Sequence, residues 1–302
     1  MLSLTVLGPN LTAIVADYVW VEGIPIDEID VSGQVPEDEN PEDEKKEDWP
    51  SSLMFMNGIL SVVSGGLYIK SFDLAGKQIA LDTCANASSI TYLSCTYLIG
   101  VEEWAPTLTA PGRLGLNYSH IVHREELGSN YQSTHFKQTR CDGYFHGNIY
   151  TIHYYYDKTT SGRAFLIKGS IWTLGWDSLD TIEFKDGDPR IGDPCDIAVS
   201  ERAVFVLDDL YRITVLETDL TIRDRWTHSR LVKPVAIAVF DRKLYIVDRD
   251  ASAVFEFTFD GVLERTWCDL ERLQLPCDVT FGNGIMLVLC AATHQVVVFK
   301  LW

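Results

Sequence analysis

The chain reads as an all-β protein, a single closed β-propeller of four-stranded blades, and three observations carry that reading. Pro194-Cys195-Asp196-Ile197-Ala198-Val199, Pro234-Val235-Ala236-Ile237-Ala238-Val239 and Pro276-Cys277-Asp278-Val279-Thr280-Phe281 are copies of one another whose starts lie 40 and 42 residues apart. That period marks a repeat architecture. Each copy is followed by a second apolar run ending in Asp208, Asp248 or Cys290, and by a third, Ile213-Thr214-Val215-Leu216, Val254-Phe255-Glu256-Phe257 or Val296-Val297-Val298-Phe299. The first two units close alike, with Asp219 and Asp260 each seven residues before Trp226 or Trp267. Four short strands per unit, joined by Gly, Asp and Asn turns, make one blade.

From the N-terminus, Leu2 to Leu7 is an apolar β-like hexamer with no partner of its own. The last unit stops at Trp302 after its third strand, so the hexamer is expected to pair with Val296 to Leu301 as an N-terminal strand closing the last blade. Leu11 to Ala16 and Tyr18 to Val21 start the first blade. Residues 36–48 follow, two prolines among Glu37, Asp38, Glu39, Glu42, Asp43, Glu44 and their neighbours, a run that repels itself and cannot bury apolar surface. It is expected to be an acidic disordered loop inserted in a single domain spanning 1–302.

Ser52 to Ile79 supplies another blade. Ser89 to Cys95 and Tyr97 to Val101 open the next, which continues through Leu114 to Val122. Gly143 to His146 and Asn148 to Tyr156 are the inner strands of the following one, with Ala164 to Lys168, Ser170 to Trp176 and Thr181 to Phe184 outside them. The count reaches seven blades, or six if the N-terminal pair is merged. Ser51 to Ile69 and Thr83 to Val101 are uncharged for nearly the length of a membrane span, but Asn, Gly and Ser interrupt them and β-branched residues dominate, so strand hairpins are expected.

The formal net charge of −18 argues against a surface built to neutralise phosphates, so DNA is excluded as a partner, RNA is disfavoured and a basic protein partner fits best. Seven cysteines without framework spacing suit a reducing compartment, and no secretory signal or spanning helix is visible, which together predict a cytoplasmic or nuclear protein off the membrane. Cys84, Cys95, Cys195 and Cys290 lie in or beside apolar runs and are expected to be small core residues.

The C-terminal units resemble NHL repeats. In that family a Pro-x-x-Ile/Val-x-Val strand leads to a Val-x-Asp strand end, then to an Asn and an Arg before a Val-x-Val-Phe-like strand. Leu244-Tyr245-Ile246-Val247-Asp248 and Val204-Phe205-Val206-Leu207-Asp208 match the second strand, and Arg212-Ile213 the Arg-plus-aliphatic pair; Ala253, Gln295 and Cys290 depart from the pattern. The likeness covers about the last 110 residues and no WD dipeptide competes in register. It implies a platform that binds protein or RNA on one face, while related propellers hydrolyse esters or lactones at a channel metal.

Asp196 and Asp278 are register-equivalent and could reach the channel mouth as oxygen ligands, yet Ala236 breaks the set, and such residues more often accept backbone N–H bonds at a strand entry. His120 and His123, three apart in a strand, point to opposite faces and cannot share an ion. Asp186-Gly187-Asp188 opens like a calcium loop, but Ile197 stands where its bidentate Glu belongs. No zinc, nucleotide or nucleophile motif is present, so no catalytic residue, metal or cofactor is expected. Tyr211, Arg212, Arg249 and His294, in strand-connecting stretches, are the expected binding residues of the loop face. The function that follows is a non-enzymatic scaffold for protein partners within a larger complex, with a metal-dependent propeller hydrolase or an RNA-binding propeller as alternatives.

Overall fold

A computed structural model describes residues 25–32, 49–56, 58–65, 68–83, 87–93, 96–101, 140–145, 148–157, 160–170, 180–184 and 194–301. Every regular element among them is a strand. After β1 (Pro25–Asp30), the strands β2 (Pro50–Met56), β3 (Ile59–Ser64), β4 (Tyr68–Asp73) and β5 (Gln78–Thr83) form an antiparallel sheet in chain order. β6 (Ala87–Leu93) and β7 (Thr96–Val101) make a hairpin. Three further four-stranded sheets also run in chain order. They are β8 (Arg140–Phe145), β9 (Asn148–Asp157), β10 (Thr160–Ser170) and β11 (Asp180–Phe184); then β12 (Pro194–Val199), β13 (Val204–Asp208), β14 (Ile213–Leu216) and β15 (Ile222–Trp226); then β16 (Pro234–Phe240), β17 (Lys243–Asp248), β18 (Ala253–Phe257) and β19 (Leu263–Cys268). The last holds β20 (Pro276–Gly282), β21 (Ile285–Cys290) and β22 (Gln295–Lys300), with β1 as its fourth strand.

Two expectations change here. The place beside β22 is taken by Pro25–Asp30, with Ile29 opposite Val296 and Asp30 opposite Gln295; Leu2 to Leu7 lies outside the described residues. An outer strand faces water on one side, which suits the alternation of exposed Asp27 and Asp30 with buried Ile29 better than a wholly apolar hexamer. Nor does a separate strand begin at Ser170. β10 runs on through Gly169 to Ser170, still paired with β9, and Thr181 to Phe184 pairs directly with Ile167 to Ala164. Leu11 to Val21, residues 36–48 and Leu114 to Val122 lie outside the described residues. Both uncharged stretches fold as strands in their described parts, and no helix among the described residues is long and apolar enough to cross a membrane.

The opening strands share one local device. In β2, β12, β16 and β20 the register slips between the first proline and the second residue after it, and β6 slips at the same place between Ala87 and Ser89. Proline has no N–H for the ladder and starts a strand without loss, and the extra residue of the bulge re-aims the side chain that follows it. These strands stand side by side: β2 by β6, β6 by β8, β8 by β12, β12 by β16, β16 by β20, and β20 by β2.

The core is a series of contacts between neighbouring sheets. Phe205, Leu207 and Val215 pack on Ile246, Phe255 and Phe257; Val247, Val254 and Trp267 pack on Val288, Val297 and Phe299; Leu287, Leu289 and Val298 pack on Leu53, Leu60 and Val62. Gly261, in the β18–β19 turn, sits against the Trp226 indole, where an added Cβ would lie 2.7 Å from Cδ2, and its φ is +80°. Gly58 has nearly the same φ, +81°, and open space around it. Gly261→Ala should therefore cost about 3 kcal/mol, from left-handed strain plus overpacking, and Gly58→Ala about 1 kcal/mol from strain alone. Urea unfolding of the two variants separates these contributions.

Candidate functional site

The side chains aimed by the bulges hold adjacent sheets together at the inner strands. Asp196, 1% exposed, accepts the N–H of Ile197 through Oδ1 and that of Ile237 in the next sheet through Oδ2, both at 2.8 Å. Asp278 repeats this: Oδ1 takes the Val279 N–H at 2.8 Å, and Oδ2 takes the Leu53 N–H and the Ser52 hydroxyl at 2.9 Å. Ser52 Oγ in turn accepts the Ile90 N–H at 3.3 Å. Thus five equivalent N–H groups on inner strands meet side-chain acceptors from three residues. Ala236 is tolerated between the two aspartates because Asp196 already holds Ile237 and Asp278 already holds Val279. The buried donors would otherwise each lose a hydrogen bond on folding.

A cavity of about 260 Å³ lies among these strands, lined by Met54, Ala198, Val239, Phe240, Asp278 and Phe281 with their neighbours. Phe240 and Phe281 stack at 4.8 Å in its wall. Of the two aspartates proposed for a channel mouth, only Asp278 lines it, and its described bonds go to backbone N–H groups and Ser52. No cluster of three His, Cys, Asp or Glu suited to a metal occurs among the described residues. His120, His123 and Asp186 to Asp188 lie outside them. Cys290 is buried in the core, where loss of water pushes its thiol up to about 12. Cys195 is half-buried against the cluster between the β12 and β16 sheets, and Cys84 and Cys95 are outside the described residues.

At one end of the sheets, the turns after β13, β17 and β21 meet the crossovers that lead to β16 and β20. Asp208 and Asp248, both buried strand ends, organise this end. Asp208 accepts the N–H groups of Leu210 and Arg212 and the Arg212 Nε at 2.9–3.0 Å. Asp248 reaches across to the crossover, taking the N–H groups of Val232 at 2.7 Å and Lys233 at 2.9 Å, as well as that of Ala251 in its own turn. Cys290 stands in the place of Asp248 without its carboxylate, and the main-chain bond from Ala291 N–H to the Leu275 carbonyl, the counterpart of Arg249 N–H to the Lys233 carbonyl, joins turn to crossover there. The four residues expected on the loop face all fall here. Tyr211 and His294 occupy the same left-handed turn position, with φ of 62° and 53°, and Arg249 follows Asp248. Arg212 is 18% exposed and committed to Asp208, so it shapes the turn more than it offers a free charge.

Sequence reasoning passed over the aliphatic residues of this end. Leu210, Val232 and Leu270 are 55%, 54% and 76% exposed, and Trp49 stands exposed at the entry to β2. Their signal was present as aliphatic residues in stretches otherwise made of turn formers. Also missed was Lys70, fully buried on β4, whose Nζ donates to the Ser32 carbonyl and ties the exit of β1 to the neighbouring sheet. Ser32 gives its N–H to Asp30, and that bond, with the Ser32 hydroxyl, lowers the Asp30 pKa.

No family model and no curated protein matches the sequence. Solved structures do match in fold. Virginiamycin B lyase from Staphylococcus aureus superposes with a TM-score of 0.56 at 12% identity, covering 93% of this chain and all of that one. An inactive variant of the same enzyme with quinupristin gives 0.54 at 13%. BBS1N, crystallised in complex with ARL6DN, gives 0.54 at 9% identity, covering 94% of this chain and 98% of its own. The chain has a β-propeller fold, and the neighbours that share it include a lyase and a chain crystallised with another protein.

Proposed function

We propose that the chain is a non-enzymatic scaffold, a closed propeller of six blades whose last three are NHL-like, which holds protein partners on its loop end. The cyclic order of the inner strands, with β20 beside β2, supports six blades. What carries the functional reading is the distribution of exposed apolar surface. Trp49, Leu210, Tyr211, Val232, Leu270 and Leu275 all fall in loop-end connections, whereas Leu74, Ile79, Ile222 and Val262 lie at or beside the opposite turns. Aromatic and aliphatic side chains held out on rigid turns are what a protein interface requires. The inner aspartates support the same reading, since a carboxylate spent on two main-chain donors has little left for an ion.

The flanks of the acidic segment, Ser32 and Trp49, lie at this end too, and its charge suits a basic partner. A cytoplasmic or nuclear site of action fits the free thiols.

The test is affinity purification of the tagged full chain from its native cells in three forms: wild type, Leu210→Asp with Leu270→Asp, and Ile222→Asp with Val262→Asp. The expected result is stoichiometric protein partners with the wild type and the Ile222/Val262 form, and at least tenfold less with the Leu210/Leu270 form at equal thermal stability. Recovery of the chain alone, or partners indifferent to the loop-end changes, would overturn the scaffold reading. Removing residues 37–48 in a fourth form reports whether a partner depends on the acidic segment.

A further inference from the structure

The sheet edges at β1, β5, β11, β15 and β19 have no neighbouring strand among the described residues. Folded proteins guard such edges with charge and with bulges that bend the strand away. β5, β15 and β19 carry a bulge at the same place, where the register slips and one residue is left over: Ile79, Arg223 and Glu264. At the next two places β15 has Asp224 and Arg225 and β19 has Arg265 and Thr266, where β5 has Ala80 and Leu81. β1 carries Asp27, Glu28 and Asp30, and β11 carries Asp180 and Glu183. From Gln78 to Leu81 β5 has no charge at all, and Lys77 and Asp82 bracket this stretch with opposite signs. Ile79 is 40% exposed, and Leu74 in the turn before it is 38% exposed. β5 thus keeps the bulge that guards the aligned strands and lacks their charges.

We infer that β5 pairs with β5 of a second copy of this chain, antiparallel about a two-fold axis through Ala80. The strand is self-complementary in that arrangement. Ala80 meets Ala80, Ile79 stands opposite Leu81 on both sides of the axis, and Gln78 stands opposite Asp82, so no like charges face each other. The same arrangement is closed to the aligned strands. In β15 it sets Asp224 against Asp224 and Arg223 against Arg225, and in β19 it sets Arg265 against Arg265. The edge that is left undefended is therefore one that its own copy fits. About five residues from each chain take part, which places the contact among weak interfaces, with a dissociation constant on the order of 10–100 µM. Each copy brings a net charge of −18, so the uncharged edges meet against long-range repulsion, and the dimer tightens as salt screens it. The inference goes beyond the loop-end scaffold and does not rest on it, since no loop-end residue takes part.

Sedimentation equilibrium of the full chain tests this, from about 1 to about 200 µM protein and at about 50 and about 500 mM NaCl. The wild type is expected to pass from monomer to dimer over that range, with the tighter dimer in the higher salt. Ile79→Lys and Ile79→Glu should each weaken the dimer about tenfold, because like charges then lie across the axis, and an equal mixture of the two should recover it. Ile79 is exposed, so both variants keep the fold, and recovery on mixing cannot come from a misfolded chain. Val262→Lys, in the β18–β19 turn, should leave the dimer unchanged. A wild type that stays monomeric at the highest concentration in both salts would overturn the inference, whether another segment of the chain covers β5 or nothing does. So would a dimer that weakens in the higher salt, one indifferent to Ile79→Lys, or a mixture no more dimeric than its components. A monomer throughout leaves the loop-end reading standing, because partner recovery with the Leu210/Leu270 form is read separately.

Discussion

Trp267→Ala should destabilise the fold by about 4 kcal/mol, and Trp226→Ala by only about 2 kcal/mol. The two tryptophans hold the same place in their repeats, yet Trp267 is 2% exposed and Trp226 is half-buried. Trp267 meets Phe299 edge-on at 5.8 Å, lies under the Arg265 guanidinium at 5.1 Å and gives its indole N–H to Glu256 at 3.3 Å. Its removal empties the contact between the β16–β19 and β20–β22 sheets and leaves the buried Glu256 carboxylate short of a donor. Trp226 packs on Phe257 at the interface before and is wet on one side. Urea unfolding of both variants, compared at equal denaturant slope, checks the difference.

Asp196→Ala should cost about 3 kcal/mol, because two buried N–H groups, of Ile197 and Ile237, lose their acceptor in one substitution and each carries a desolvation penalty. Asp196→Asn should cost roughly half as much, since the amide retains one acceptor oxygen but turns its NH₂ toward a second donor. Asp278→Ala should fall between the two, because Asp278 is less buried although it serves three donors. Thermal unfolding followed by circular dichroism measures all three. An Asp196→Ala variant as stable as the wild type would mean that water replaces the carboxylate and that the inner strands need no side-chain tie.

The repeat units were legible because their signal is covalent spacing. Pro194, Pro234 and Pro276 open β12, β16 and β20, and Asp208 and Asp248 end their second strands as the pattern requires. β1 was not legible. Its sequence, Pro-Ile-Asp-Glu-Ile-Asp, has the acidity of a loop, and only its partner β22, far along the chain, makes a strand of it. Gly169 misled in the opposite sense: glycine usually breaks a strand, but here the ladder to Ile149 carries β10 through it. Tyr211, Arg212, Arg249 and His294 were placed at one end because turn position depends on the repeat alone. Arg212's engagement with Asp208, and the exposure of Leu210, Val232 and Leu270, depend on how turns and crossovers pack, which periodicity does not encode.

The pairing of Pro25 with Phe299 sets an order in time. As the chain is synthesised, β1 is made before β22 and must wait for it before it has this neighbour, so its sheet is completed only after the strands between the two have been made. Until then β22 presents a bare edge of Val296, Val297 and Val298, residues of high strand propensity and no charge, able to accept any passing strand. The acidic side chains of β1 then have a second value, since a waiting strand that carries Asp27, Glu28 and Asp30 stays dissolved and repels its own copies on neighbouring ribosomes. Lys70, buried beneath the Ser32 carbonyl, engages only when that late docking has occurred, and so secures the step on which the integrity of the whole molecule depends.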